Sequence, residues 1–156
     1  MIEPKILNID DLSQIIDFEK KRLELTMADE ADRELYSWHA SWRKESLEHY
    51  LPLGWSFGLW SKETSDSHEA NRLRGYFIAQ PQLFLRGMTQ TLWVERLVAE
   101  NAQETSDLIE LVYKVCRDKH FQKALFLVHE DVSYSNSVFQ LNQVGDTLME
   151  LKTAKF

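Results

Sequence analysis

The amino-acid sequence predicts an α/β fold with a mixed central sheet and helices on both of its faces. Three observations carry this. The hydrophobic period changes from helical to alternating after the breaker Pro52-Leu53-Gly54. The run Ala124-Leu125-Phe126-Leu127-Val128 is apolar throughout, as expected of a strand covered on both faces. Between the alternating segments and that run lies a strongly amphipathic stretch, Asp107 to His120, suited to a helix packed on the sheet.

The elements follow in order. Lys5 to Ile9 reads as a first strand, with Asp10 and Asp11 as candidate caps for a helix that carries Leu12, Ile15, Ile16 and Leu23 on one face. The acidic stretch Thr26 to Asp32 interrupts the pattern. A second helix then carries Leu35, Trp38, Trp42 and His49 or Tyr50 on one side, and stops before Pro52. Trp55 to Trp60 and Leu73 to Gln80 alternate as strands do, around a polar loop from Ser61 to Asn71. Thr89 to Ala99 is a further strand. Simple alternation puts Thr91, Trp93, Glu95 and Leu97 on one face, and Leu92, Val94, Arg96 and Val98 on the other. The helix Asp107 to His120 buries Leu108, Leu111, Val112, Val115 and Cys116, with Thr105, Ser106 or Asp107 as its cap. Ser133 to Val144 holds a short helix ended by Gly145, and Thr147 to Ala154 a last strand.

The chain has 156 residues, a length suited to one domain spanning 1–156. Its net charge of -7 argues against nucleic-acid binding, which needs clustered Lys and Arg, and is compatible with a cationic acceptor. No apolar run is long enough to span a bilayer, and the first residues lack the pattern of a signal peptide. With a single cysteine, Cys116, a cytoplasmic location is expected. The histidines show no zinc spacing, so no metal site is expected.

The order strand, two helices, three strands, helix, strand, helix, strand resembles that of the GNAT superfamily of acyl-CoA-dependent N-acyltransferases, and does so over nearly the whole chain. Ile6 to Ile16 resembles the family's opening strand and helix. Trp93-Val94-Glu95-Arg96-Leu97-Val98 resembles its fourth strand, and Ala124 to Gly145 its fifth strand with a following loop Asn and helix. The resemblance implies acetyl-CoA as co-substrate and an amine, on a small molecule or a protein, as acceptor. It implies Glu95 as the base that takes the ammonium proton. It sets Leu97 and Val98 at the donor-binding end of the fourth strand and Gln103 at the family's Arg or Gln position. Thr105 and Ser106 become donors to the pyrophosphate, and Asn136 the loop Asn. Leu141 stands where the family often has a Tyr that protonates the departing thiolate, and Tyr134 is the substitute. A homodimer is left open.

The chain departs from the family pattern between Ala99 and Leu108. Glu104, Ser106 and Leu108 stand near the places of glycines that let backbone approach a pyrophosphate at a helix N-terminus. Glu104 and Asp107 are expected to oppose the pyrophosphate and weaken acetyl-CoA binding. A catalytically inactive GNAT-fold binding or regulatory module is therefore the alternative function. Trp38 and Trp42, spaced as helical neighbours, are either the wall of an acceptor pocket or core. Cys116 reads as an inert buried thiol.

Overall fold

The computed structural model describes residues 2–62, 71–82, 90–129 and 139–153. Strands β1 (Ile2–Ile6), β2 (Phe57–Ser61), β3 (Arg72–Gln82), β4 (Thr91–Ala99), β5 (Lys123–Leu127), β6 (Asn142–Gln143) and β7 (Leu148–Lys152) form a sheet in the order β1-β2-β3-β4-β5-β7-β6. Only β4 and β5 pair in parallel among these strands, over Thr91–Val94 and Lys123–Phe126, as the crossover through an intervening helix requires. The helices are α1 (Leu12–Thr26), α2 (Glu30–His39), α3 (Lys44–Tyr50) and α4 (Ala102–Asp118).

Two cores form, one on each face of the sheet. On one, Leu108, Ile109, Val112 and Cys116 of α4 pack on Phe77, Leu92, Val94, Leu97 and Phe126. Each such fully buried apolar side chain contributes about 1.5–3 kcal/mol. On the other, Ile15 and Phe18 of α1 and Leu47 and Tyr50 of α3 pack on Tyr76, Ile78 and Val98. The mixed sheet with helices on both faces is thus the predicted fold class.

The expected alternation along β4 fails at one residue. Ile78 pairs with Arg96 and Ala79 with Val94, so Glu95 is an extra residue opposite β3, a β-bulge. A bulge shifts the side-chain parity beyond it. Leu97 therefore joins Leu92 and Val94 on the α4 face, where it is part of that core, while Val98 faces α1 and α3. Arg96 also meets α1. Its guanidinium donates to both carboxylate oxygens of Glu19, at 2.7 and 2.9 Å, and the Tyr76 hydroxyl donates to Glu19 Oε1 at 2.7 Å. Arg96 and Glu19 are each only 2% exposed. The ion partner of Arg96 is Glu19 of α1, not the adjacent Glu95.

Other expectations shift for local reasons. The first strand begins earlier and leaves the sheet at Leu7, which is buried. Asn8, not Asp10, caps the next turn, with Asp11 closing the capping box. The second helix is two: Ala40 and Arg43 are extended, so Trp42 turns into the core while Trp38 stays 60% exposed. Within the described residues 139–145 there is no helix. Gly145, at φ 79°, instead turns the β6–β7 hairpin, closed by Val144 N–H on the Leu148 carbonyl at 2.8 Å.

Gly75 sits opposite Ala99 across β3 and β4, and a Cβ there would lie 2.7 Å from Ala99 Cβ and 2.9 Å from backbone atoms. Gly75→Ala is expected to cost about 1–3 kcal/mol, read by urea unfolding. Arg96→Met is expected to cost about 3–5 kcal/mol, because it strands a buried carboxylate. The double variant Glu19→Met with Arg96→Met should recover much of that loss in the same titration. Equal stability of the single and double variants would show that burial of the charge is not the source of the cost.

Candidate active site at the end of the β4–β5 ladder

The parallel ladder between β4 and β5 ends at Val94 and Phe126, whereas β4 continues to Ala99 along β3. Glu95 is the first residue of β4 past the fork and also the bulged residue. Its main-chain carbonyl, released from any ladder with β5, accepts from His129 Nε2 at 2.7 Å, which places the ring proton on Nε2. The Glu100 N–H donates to the Arg74 carbonyl, so alternation along the antiparallel pair directs the backbone of Arg96 and Val98 to β3. The backbone of Leu97 and Ala99 points the other way, where the Ala99 carbonyl accepts from Arg22 Nη1 at 3.2 Å.

Donors from three elements converge on the Glu95 carboxylate. Trp93 Nε1 donates to Oε2 at 2.7 Å, the Tyr50 hydroxyl to Oε2 at 3.2 Å, and Ser41 Oγ to Oε1 at 3.5 Å. Trp93 reaches it because residues two apart on a strand share a face. Tyr50 arrives from the end of α3, and Ser41 from the break between α2 and α3. Tyr50 is held further by the His49 ring packed edge-on against it, and His49 Nε2 lies 2.7 Å from Gln80 Oε1. Burial, and then the negative charge of Glu95, push the Tyr50 phenol up from 10.0 to about 12. It stays a neutral donor at physiological pH. Nothing in the sequence spacing marks Ser41, Tyr50 or His129 as neighbours of Glu95, since the bulge and the helix break create the cluster.

The start of α4 differs from the expected loop. The helix begins at Ala102 rather than Asp107, capped by Asn101, whose Oδ1 accepts the Glu104 N–H at 2.8 Å. The spacing Asn101-x-x-Glu104 is a recognisable capping signal. Glu104 does not project from the turn as a free charge. It is buried, and its Oε1 accepts from Arg74 Nε and Nη2 at 2.9 and 2.7 Å. Arg74 also pairs with Glu100, as does Arg72. The Gln103 side chain donates to Asp107 at 3.0 Å, and the Thr105 hydroxyl to the Asn101 carbonyl at 3.0 Å. Ser106 is half-buried in the same turn. Leu97 and Val98 are buried in opposite cores. Tyr134 and Asn136 lie outside the described residues.

Trp38 and Trp42 share the lining of a cavity of about 300 Å³ with Ile16, Lys20 and Lys44, although they are not on one helix. Cys116 is buried, and burial pushes its thiol up to about 12. Among the described residues no group of three or more His, Cys, Asp or Glu is placed to hold a metal, and no helix is long and apolar enough to cross a membrane.

Since the folded pKa of Tyr50 lies above its unfolded value, its contribution to stability is full below about pH 10 and is lost as pH rises through about 12. Ultraviolet titration of the phenols should therefore show the same amplitude near pH 10 in the native chain and in Tyr50→Phe. A lower amplitude in the variant would mean that Tyr50 titrates as an ordinary phenol.

No family model and no curated protein sequence matches the chain. Solved structures do match in three dimensions. A PaiA N-acetyltransferase from Thermoplasma acidophilum, in complex with coenzyme A, aligns at a TM-score of 0.65 and 19% identity over 97% of this chain and 99% of that one. A GNAT-family acetyltransferase from Staphylococcus aureus Mu50 aligns at 0.63 and 12% identity, over 99% and 100% of the two chains. A GNAT-family acetyltransferase from Brucella melitensis in complex with acetyl-CoA aligns at 0.59 and 11% identity, over 99% and 90%. The order of the elements, the parallel pair β4–β5 that parts after Val94 and these alignments agree: the chain has the fold of the GNAT acetyltransferases.

Proposed function

We propose that the chain is an N-acetyltransferase that moves an acetyl group from acetyl-CoA to the amine of a small molecule or a protein. The observation that carries this reading is the place of Glu95, a carboxylate at the bulge where β4 and β5 part. Similarity to folds solved with coenzyme A or acetyl-CoA supports the donor.

An ammonium ion cannot attack a thioester until it loses a proton. Glu95 takes that proton, directly or through a water, and the amine nitrogen then adds to the thioester carbonyl. The carbon–sulfur bond breaks and the nitrogen gives up its surplus proton to water as the amide forms. The thiolate leaves and takes up a proton, for which Tyr134 is the proposed source. Trp93, Tyr50 and Ser41 occupy part of the Glu95 carboxylate and fix its orientation, which limits the geometries in which it meets an amine. Leu97 is proposed to lie along the donor, Val98 being turned to β3 and into the α1/α3 core, and Gln103, Thr105, Ser106 and Asn136 are the proposed residues near its far end.

Acetyl-CoA should raise the melting temperature, because a ligand that binds only the native state stabilises it. Across a panel of amines, release of coenzyme A should fall about a hundredfold or more in Glu95→Gln, with unfolding little changed. Undiminished turnover in that variant would remove Glu95 from the chemistry. Stabilisation by acetyl-CoA without turnover on any amine would favour the rival reading, a binding or regulatory module.

A further inference from the structure

We infer that the acceptor is an amine whose far end is an aromatic ring bearing a carboxylate, held in the cleft between α1, α2 and the start of α3. This rests on the acyl-transfer reading above and names its acceptor class.

The cleft has a volume of about 300 Å³, at the lower end of the range of small-ligand sites. Lys20 comes from α1, Trp38 from α2, and Trp42, Arg43 and Lys44 from the turn into α3. Trp42 is buried beneath it, and Trp38 stands exposed at its side. Three cations thus line the cleft against one carboxylate, Glu45. Arg43 comes no closer to Glu45 than 3.9 Å, and Lys44 lies 3.7 Å from Glu48, so both are loose, exposed pairs worth little. Among the described residues Lys20 makes no ion pair. Of the acids one turn away on α1, Asp17 lines a separate cleft, and Glu24 is not part of this lining. Cations remain in excess here even with Glu48 counted, in a chain whose net charge is -7.

Indole faces with cations at the rim fit a flat apolar body that ends in an anion. The ring packs on the tryptophans and the carboxylate meets the cations. Both walls also lie one residue from groups that end at the β4 bulge. Trp42 follows Ser41, whose hydroxyl donates to Glu95 Oε1. Lys20 follows Glu19, which holds Arg96, the residue after Glu95. Consecutive Cα atoms are only about 3.8 Å apart. An acceptor anchored here by its carboxylate therefore extends toward the proposed base, and the spacer between ring and carboxylate sets whether its amine arrives there.

The test compares acetyl transfer by the full chain to 4-methylbenzylamine with transfer to 4-(aminomethyl)benzoate, 4-(aminomethyl)phenylacetate and 3-(4-aminomethylphenyl)propionate. At least one carboxylate should exceed the neutral-ended amine in kcat/KM by about fivefold or more, through KM. That advantage should shrink in high salt and in Lys20→Met. The amine-free probe 3-phenylpropionate should change the tryptophan emission saturably. The change should be absent in Trp38→Phe and require more ligand in Lys20→Met. Both side chains are exposed, so both variants should fold as the parent does. No advantage for any of the carboxylates, or an advantage undiminished in Lys20→Met, would overturn the acceptor class while leaving acetyl transfer intact. Turnover on no amine, in this set or the wider panel, would remove the acetyltransferase reading and this inference with it.

Discussion

One extra residue in β4 sets the arrangement of everything around it. Without the bulge at Glu95, alternation would send Arg96 into the α4 core and Leu97 toward α1. A guanidinium among Leu108, Val112 and Phe126 would have no partner, at a cost of several kcal/mol. With the bulge, Arg96 reaches Glu19, and Leu97 completes the apolar face under α4. The ion pair and the bulge therefore specify each other. A buried pair of this kind adds little net stability compared with an apolar substitute, because both ions are desolvated. Its consequence here is registry: α1 is held at one position on β3 and β4 through Glu19, with Tyr76 filling a further acceptor site on that carboxylate.

The same residue links fold to chemistry. Bulges re-aim side chains, and this one lies where the parallel ladder stops. The Glu95 side chain is consequently shared among Trp93, Tyr50 and Ser41, and its carbonyl is bonded to His129. Ser41 is within reach only because the helix before it ends at His39. Tyr50 is within reach because α3 packs Leu47 against α1 and β3. On the proposed reading Glu95 accepts a proton from an amine, and the orientation that this requires derives from three separate elements.

Much of the fold was legible because long periodic segments speak for themselves. The α4 stripe and the apolar β5 appear where expected, and the strands expected near Trp55 and Leu73 form as β2 and β3, although both bury consecutive residues and do not alternate. What was not legible depends on packing. Trp38-His39-Ala40-Ser41-Trp42 contains no helix breaker, and the opening there goes with the burial of Trp42 and the bond from Ser41 to Glu95. The β4 bulge has no glycine to announce it, so period-two reasoning assigned Leu97 and Arg96 to the wrong faces. Glu95 itself was found through resemblance to a family strand. Of its neighbours, Trp93 was legible as a residue two away on the same strand face, but Ser41, Tyr50 and His129 were not, since they meet Glu95 only after the bulge and the helix break are in place.

The start of α4 shows how a sequence feature changes meaning in three dimensions. Glu104 looked like a charge aimed at an anion, but Asn101 begins the helix earlier and carries Glu104 onto the sheet-facing side. Arg74, itself an extra residue in β3 opposite the Leu59–Trp60 step, is positioned to meet it. A carboxylate in the first turn suits the helix dipole, and a guanidinium from β3 neutralises it. Together with Glu100 these groups tie the end of β4 to the start of α4. The stiffness that glycine would remove is thus supplied by ion pairs, and the turn is organised for structural closure. Arg74 bridges Glu100 and Glu104, and Arg72 adds a second hold on Glu100.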